Sequence, residues 1–503
     1  MRSPRPRLPR AGLGAAGVLV AALVAVVPSV SADAGPPSAR QGRGPTTHDV
    51  VANLWEWNWP SVARECTDVL GPSGYGAVQV APPQDSLKRT DPGSEGILHP
   101  WWEVYQAVDY QLTSRMGDER QFRDMVSTCR AAGMKVYVDA VINHTTGQGS
   151  TSYGGKSYEH FSYPAVPYGY DDFHPRGAEC DSASGGIEDF NNQRQVFRCE
   201  LLGLADLKTE QASTQRTIAA YLNKLLGYGV SGFRVDAAKH VGQDDLDAIY
   251  ARLHDTREGN RPFWALEVFG GGPGTLSPQA FVRSGTVLGL DGVKQLRDAF
   301  KSYPAEHVGS IATLETFGEG SGLTPSRRTL SFVQNHDTER NGDALSYKDG
   351  ATNRLATQYL LASGYGRPQV YAAFTFGSDT NQSPPSTPDG MITDTDCGSD
   401  QWSCTDRDPG VNALVRWHDA VGRAPQADWW DDGGNVISFR RGPGWVAFNN
   451  NAEPRRVTLD TGLPRGHYCD EVTRANGCTP VDVDSHGRTT VTVPAKGAVA
   501  VLR

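Results

Sequence analysis

Beyond residue 27 the chain has no apolar run long enough to cross a bilayer, and no cluster of basic residues. A membrane-spanning body and a phosphate-backbone binder are thereby disfavoured. There is no Cys-x-x-Cys pair, which removes the usual thiolate metal site and the redox dithiol. No His-Glu-x-x-His, P-loop or EF-hand pattern occurs, and the glycine-rich stretch 270–274 carries no phosphate-loop lysine. No Gly-x-Ser-x-Gly elbow occurs either, so a lipase or esterase loses its warrant.

What is present is a long chain with material for a large core. It has 503 residues, 38% hydrophobic and 21% charged, enough for one large domain and one or two smaller ones. The 56 glycines and 32 prolines indicate many tight loops, and the 11 tryptophans and 18 tyrosines suit both a core and a carbohydrate surface. Residues 1–34 read as a secretory signal: four arginines, an apolar run from Ala11 to Val27, then Ala32-Asp33-Ala34. A membrane anchor is the alternative. Removing this segment takes away Arg2, Arg5, Arg7, Arg10 and Asp33, and moves the formal charge from −9 to −12. All eight cysteines follow it, an even number that argues for disulfides in an exported chain.

Residues 35–46 are rich in Gly, Pro, Ser and Thr and are expected to be flexible. From there the chain alternates strands and helices. Strand 50–54, helix 62–70 and strand 77–80 form one unit. Helix 118–132, with Phe122, Met125, Val126 and Cys129 at helical spacing, leads into the strand 135–141. Segment 145–190 breaks the rhythm and reads as an inserted small domain. Helix 213–227 and strand 232–235 then resume the alternation, followed by strands 263–268, 330–333 and 370–376. Polar residues mark strand ends at Asp139, Asp236, Glu267 and Asp337. Their intervals are one unit plus an insertion, then one unit, then about two. That arithmetic predicts a (β/α)8 TIM barrel with a small domain inserted after strand 3; an open doubly wound sheet is the alternative. The barrel takes 47–144 and 213–420, and the insertion 145–212. From 421 to 503 period-two segments and short turns predict a C-terminal antiparallel β-sandwich.

Three polar clusters stand at strand ends: Asp139 to His144, Arg234 to His240, and Asn335-His336-Asp337. Glu267 ends a fourth strand. Polar groups gathered at the carboxyl ends of barrel strands mark an active site. Cleavage of a glycosidic bond needs two carboxyl groups beside it, one to attack and one to protonate the leaving oxygen. Arg234, two residues before Asp236 and on the same strand face, is placed to keep that aspartate ionised. The residues alone do not separate a sugar from a phosphate or acyl substrate. Asn143 and Asp206, with a carbonyl near the insertion, offer the oxygen ligands calcium prefers.

These clusters resemble the four conserved regions of the alpha-amylases of glycoside hydrolase family 13: DAVINH at 139–144, GFRVDAAKH at 232–240, EVF at 267–269 and FVQNHD at 332–337. The likeness is greatest to the animal-type branch, which also occurs in secreted actinobacterial enzymes. It implies an extracellular alpha-amylase, with retaining endo-hydrolysis of alpha-1,4-glucosidic bonds in starch, glycogen and maltooligosaccharides as its reaction. A maltooligosaccharide-forming or transglycosylating relative is the alternative. Asp236 is then the nucleophile, Glu267 the acid/base and Asp337 the transition-state stabiliser. Substrate would be held by Trp101, Trp102, Tyr105, Gln106, His144, Arg234, Lys239, His240 and His336. Calcium would be held by Asn143, Asp206 and the carbonyls of Phe197 and His240.

The resemblance also implies a departure. Animal-type members bind chloride through two arginines and an asparagine. Arg234 and Asn335 match two of these, but Gln369 stands at the third, so chloride dependence is not expected. Arg367, two residues away on the same strand parity, leaves local compensation open. Proteinaceous amylase inhibitors are further partners of such a protein; nucleic acid and stable membrane association are not expected, and a monomer is. The short cysteine separations of 19, 7 and 9 residues predict Cys180–Cys199, Cys397–Cys404 and Cys469–Cys478, leaving Cys66 to pair with Cys129.

Overall fold

The computed structural model describes residues 48–94, 96–302 and 308–503. The signal expected at 1–34 and the tail expected at 35–46 lie outside the described residues.

Short strands run in parallel around a closed barrel: β1 (Val51–Leu54), β2 (Ala77–Val80), β3 (Lys135–Ala140), β4 (Gly232–Val235), β5 (Phe263–Leu266), β6 (Thr286–Leu288), β7 (Thr329–Phe332) and β8 (Arg367–Phe374). Each pairs with the next, and β8 returns to β1 with Gln369 opposite Val51 and Tyr371 opposite Asn53. Closure decides for the barrel over the open sheet. The period of two sends Val78, Val136, Val138, Phe233 and Leu266 outward into the main core. There they meet Phe122, Met125 and Val126 of α2 (Glu119–Ala131), which follows α1 (Trp59–Glu65). Val51, Ala77, Tyr137, Ala265, Leu288 and Leu330 fill the barrel interior. The next inward residues, Asp139 and Arg234, are level with one another across β3 and β4.

Local sequence sets the element ends. Asp118 caps α2 in a reciprocal box with Gln121. The first helix begins at Trp59 rather than Val62, because Asn58 accepts from the Ser61 N–H, and it widens into a π-helical turn at Cys66–Leu70. Strand β6, absent from the sequence reading, is three residues long between Gly285 and Gly289, too short to show an alternation.

Between β3 and the barrel helix α4 (Ala212–Tyr228) the chain leaves the barrel. This stretch has little regular structure besides α3 (Gln193–Arg198), but it has its own apolar cluster of Tyr158, Tyr163, Val166, Tyr168, Phe173, Ala205 and Leu207. Leu87 and Val108, from the excursion after β2, complete that cluster. The last barrel helices are α5 (Ala351–Ser363) and α6 (Pro409–Val421).

The C-terminal all-β domain has a four-stranded antiparallel sheet of β9 (Gln426–Asp431), β10 (Val436–Arg441), β11 (Gly444–Asn449) and, closing the chain, the strand Gly497–Leu502. One face, with Ile437, Phe439, Val446 and Phe448, joins the barrel's core, where Tyr359 of α5 and Trp417 of α6 lie. The other face, with Trp445, Ala447, Val499 and Val501, packs on Leu459, Val481, Val483 and Val493 of the domain's two-stranded sheets. All four disulfides form as the spacing predicts, and no described cysteine is free.

Candidate active site

The carboxyl ends of β3, β4 and β5 converge on one guanidinium. Arg234 Nη1 donates to Asp139 Oδ1 at 2.7 Å, to Asp139 Oδ2 at 2.9 Å and to Asp236 Oδ1 at 2.7 Å. Its Nη2 donates to Glu267 Oε1. The period of two makes this possible: Arg234 and Asp236 share one face, and Glu267 extends the β5 ladder by donating its N–H to the Val235 carbonyl. Glu267 Oε2 accepts the Ala237 N–H at 2.8 Å. Ala237 holds a left-handed backbone at φ 47°, a conformation unusual for alanine that aims its N–H at the carboxylate.

Burial sets the electrostatics. It pushes the pKa of Asp236 and Glu267 up, against the pull of Arg234. Asp337 is pushed to about 8 by burial and by the charges of Glu267 and Asp236, opposed by Arg234 and Arg340. Asp139 is pushed to about 7, again chiefly by burial. Arg234 therefore does not simply hold Asp236 ionised, because its charge is divided among three acids. A cluster of four carboxyls, three of them buried and that of Asp337 half-buried, beside so little positive charge retains a proton near neutrality, which acid catalysis requires.

Around these acids lie the other residues expected from the sequence. Tyr105 donates its hydroxyl to Asp139 Oδ2 at 2.9 Å, and its carbonyl accepts from His144 Nε2 at 3.0 Å. His144 Nε2 is 4.0 Å from Asp236 Oδ2. His336 Nε2 is 3.3 Å from Asp337 Oδ2, and its ring stacks with those of Trp55 and Tyr105 at centroid distances of 4.6 and 5.1 Å. Both imidazoles are neutral: burial lowers His144 to about 4, and burial with the charges of Arg234 and Arg340 holds His336 well below its usual range. Trp101 stands edge-on to Trp55 and His336. Trp102 bonds Asn381 and carries Arg89 over its ring, while Gln106 accepts the Gly147 N–H. Lys239 Nζ donates to the carbonyls of Phe269 and Gly271.

A second group gathers where the insertion meets the barrel. Asn143 Nδ2 donates to Asp206 Oδ1 at 3.2 Å, and Asp206 Oδ2 accepts from His174 Nδ1 at 2.8 Å. Burial pushes Asp206 up to about 7. His240 Nδ1 donates to the Val196 carbonyl at 3.0 Å, which ties α3 to the turn after β4.

At the expected chloride position, Gln369 Nε2 donates to Gln79 Oε1 at 2.9 Å. Asn335 is occupied with Thr338, whose N–H and hydroxyl donate to its Oδ1. Arg367 donates to the Tyr137 hydroxyl and lies over the Phe263 ring at 4.6 Å, toward the amino ends of the strands.

Sequence reasoning left three contributors without a role. Asp139 takes two of Arg234's hydrogen bonds; its place at a strand end was the available signal. Trp55 directly follows β1 and donates to the Tyr105 hydroxyl at 3.0 Å, a signal of the same kind. Arg340 grips the His336 carbonyl, and nothing in its spacing announces that.

A closed barrel with acids from successive strand ends converging beside aromatic and imidazole side chains is the site of a glycoside hydrolase. The family model for the alpha amylase catalytic domain matches residues 76–263, and that for the alpha amylase C-terminal all-beta domain matches residues 428–503. An alpha-amylase of Thermomonospora curvata is 40% identical over 97% of this chain and 77% of its own length. The pancreatic alpha-amylase of Sus scrofa is 37% identical over 89% of this chain and 91% of its own. The crystal structure of a mutant of alpha-amylase I from Eisenia fetida, in complex with maltohexaose, superposes with a TM-score of 0.85 at 33% identity, covering 90% of this chain and 97% of that one. The chain belongs to the alpha-amylase family and is an enzyme that hydrolyses internal alpha-1,4-glucosidic bonds.

Proposed function

We propose that Asp236 attacks the anomeric carbon of the bound glucan while Glu267 gives its proton to the departing glucosidic oxygen. The C–O bond to the leaving chain breaks as the C–O bond to Asp236 forms. Glu267, now a carboxylate, takes a proton from water; the oxygen of that water displaces Asp236, and both groups return to their starting state. Asp337, when ionised, stabilises the positive charge that develops and Arg234 the negative, and the neutral imidazoles of His144 and His336 contact sugar hydroxyls. Trp101, Trp102 and Tyr105 supply apolar faces for glucose rings, Gln106 a polar contact, and Lys239 and His240 the opposite side of the cleft. The substrates are starch, glycogen and maltooligosaccharides. The observation that carries this reading is the single guanidinium shared by Asp236 and Glu267. The test is the anomer first released from maltoheptaose, followed by NMR before mutarotation. Alpha product is expected, and beta product sinks the double displacement. Glu267→Gln should lower kcat by about 10²–10⁴ with much less change in KM.

The donor set at the insertion fits a calcium ion, being amide, carboxylate and carbonyl oxygens on three buried residues, Asn143, Asp206 and His240, and on half-buried Phe197. Asn143, Asp206 and the carbonyls of Phe197 and His240 would hold it. Such an ion would supply a cross-link between insertion and barrel and take no part in bond cleavage.

Chloride is not required in this reading. Gln369 is neutral and spent on Gln79, Arg367 is turned toward Tyr137, and Arg234 has three carboxylates. Activity should be the same in chloride and in an inert anion at equal ionic strength; saturable activation by chloride would refute this. Four disulfides fit an oxidising compartment, and secretion through the leader at 1–34 is the localisation proposed. Among the described residues no helix is long and apolar enough to cross a membrane.

A further inference from the structure

Arg340 lies three residues beyond Asp337 and has no part in the scheme above. Its side chain is 6% exposed. Nη1 donates to the His336 carbonyl and to Glu339 Oε1, each at 2.7 Å, and Nε donates to the Thr380 carbonyl at 3.2 Å. The guanidinium also lies over four rings: Phe376 at 4.3 Å, Trp55 at 4.8 Å, Trp101 at 5.1 Å and Phe374 at 5.3 Å. One of these rings, Trp101, belongs to the substrate wall, and buried Trp55 packs edge-on against it. Trp55 stacks on His336, and Trp101 donates to the same Thr380 carbonyl at 2.8 Å. One cation thus joins the turn after β7, the wall after β2 and the loop after β8. This needs a flat fork that can bond in its plane while its faces meet aromatic rings, which an ammonium does not offer.

We propose that Arg340 is a positioning residue, which fixes His336 and Asp337 against the aromatic wall and supplies the second positive charge of the catalytic cluster. The charged groups facing Asp337 are Arg234, Asp236 and Glu267 from the strand ends and Arg340 from its own turn, with neutral His336 at 3.3 Å. Removing Arg340 leaves Arg234 as the sole cation among these groups. The carboxyl of Asp337 then protonates more readily, and the turn that carries it loses its anchor.

The inference rests on the alpha-amylase reading, so the full-length wild type is assayed first on soluble starch. An inactive wild type would sink that reading rather than this one. Arg340→Met removes charge and fork; Arg340→Lys keeps charge and removes the fork. For folded Arg340→Met, kcat should fall by about tenfold or more with a smaller change in KM. The acid limb of kcat/KM should move to higher pH by roughly half a unit or more. Arg340→Lys should keep the wild-type acid limb while losing part of kcat. A folded Arg340→Met with wild-type kcat and an unmoved acid limb overturns the proposal. If Arg340→Met does not fold, Arg340→Lys decides, and its wild-type kcat would overturn the positioning role.

Discussion

Asp337 shows how far a single residue can be read from sequence. Its place in FVQNHD marked it as part of the site, but the motif gives no protonation state. That depends on burial and on acids contributed by β4 and β5, which are distant in the chain. With its pKa raised to about 8, Asp337 binds a proton more tightly in the folded enzyme than in the unfolded chain. Between the ordinary aspartate range and about pH 8, the stability from this group is therefore present at low pH and lost as pH rises. Asp337→Asn should accordingly raise Tm, by about 1–3 °C at pH 8 and by much less near pH 4, while abolishing most activity. A variant that melts lower than wild type at pH 8, in the same buffer, would show that ionising Asp337 among these acids does not cost stability. Other residue-scale facts were equally out of reach: Gln369 was legible as a missing cation, but its bond to Gln79 required the register of β2 and β8.

Elements with a repeating pattern were legible; elements without one were not. Helix α2, thirteen residues long, carried its apolar spacing within it and its cap and stop, Asp118 and Gly133, on either side. Strand β6 has three residues and no room for a pattern, though the spacing from Glu267 to Asp337 had left space for one strand there. The insertion was visible only as a broken rhythm, because its small core is drawn from loops and completed by Leu87 and Val108. Beyond that shared core, polar contacts tie it to the barrel: Asn143 with Asp206, His240 with the Val196 carbonyl, Asp245 with Thr209 and Thr275 with Gln193. If calcium occupies that junction, EDTA should lower Tm and activity together, and added calcium should restore both, since an ion bound to the folded state stabilises by mass action. Unchanged melting and activity in EDTA, with no calcium found by metal analysis, would dismiss the site.

For the whole molecule, order and spacing of the acids were enough to predict the barrel, because each strand–helix unit has a similar length. The relation of the C-terminal domain to the barrel was not predictable. Alternation in β10 and β11 reads as one buried and one solvent face, yet both faces are covered. Ile437 and Phe439 face the barrel helices, and Trp445 and Ala447 face the second layer. Ending the chain at Val421 should therefore uncover Tyr359 and Trp417 and give aggregated or poorly folded protein. A soluble truncated enzyme with wild-type Tm would contradict this. The border between the two domains is thus a poor place for recombination. A hybrid made by joining the barrel of one relative to the β domain of another must match two halves of a single interior, so these two parts are expected to be inherited together.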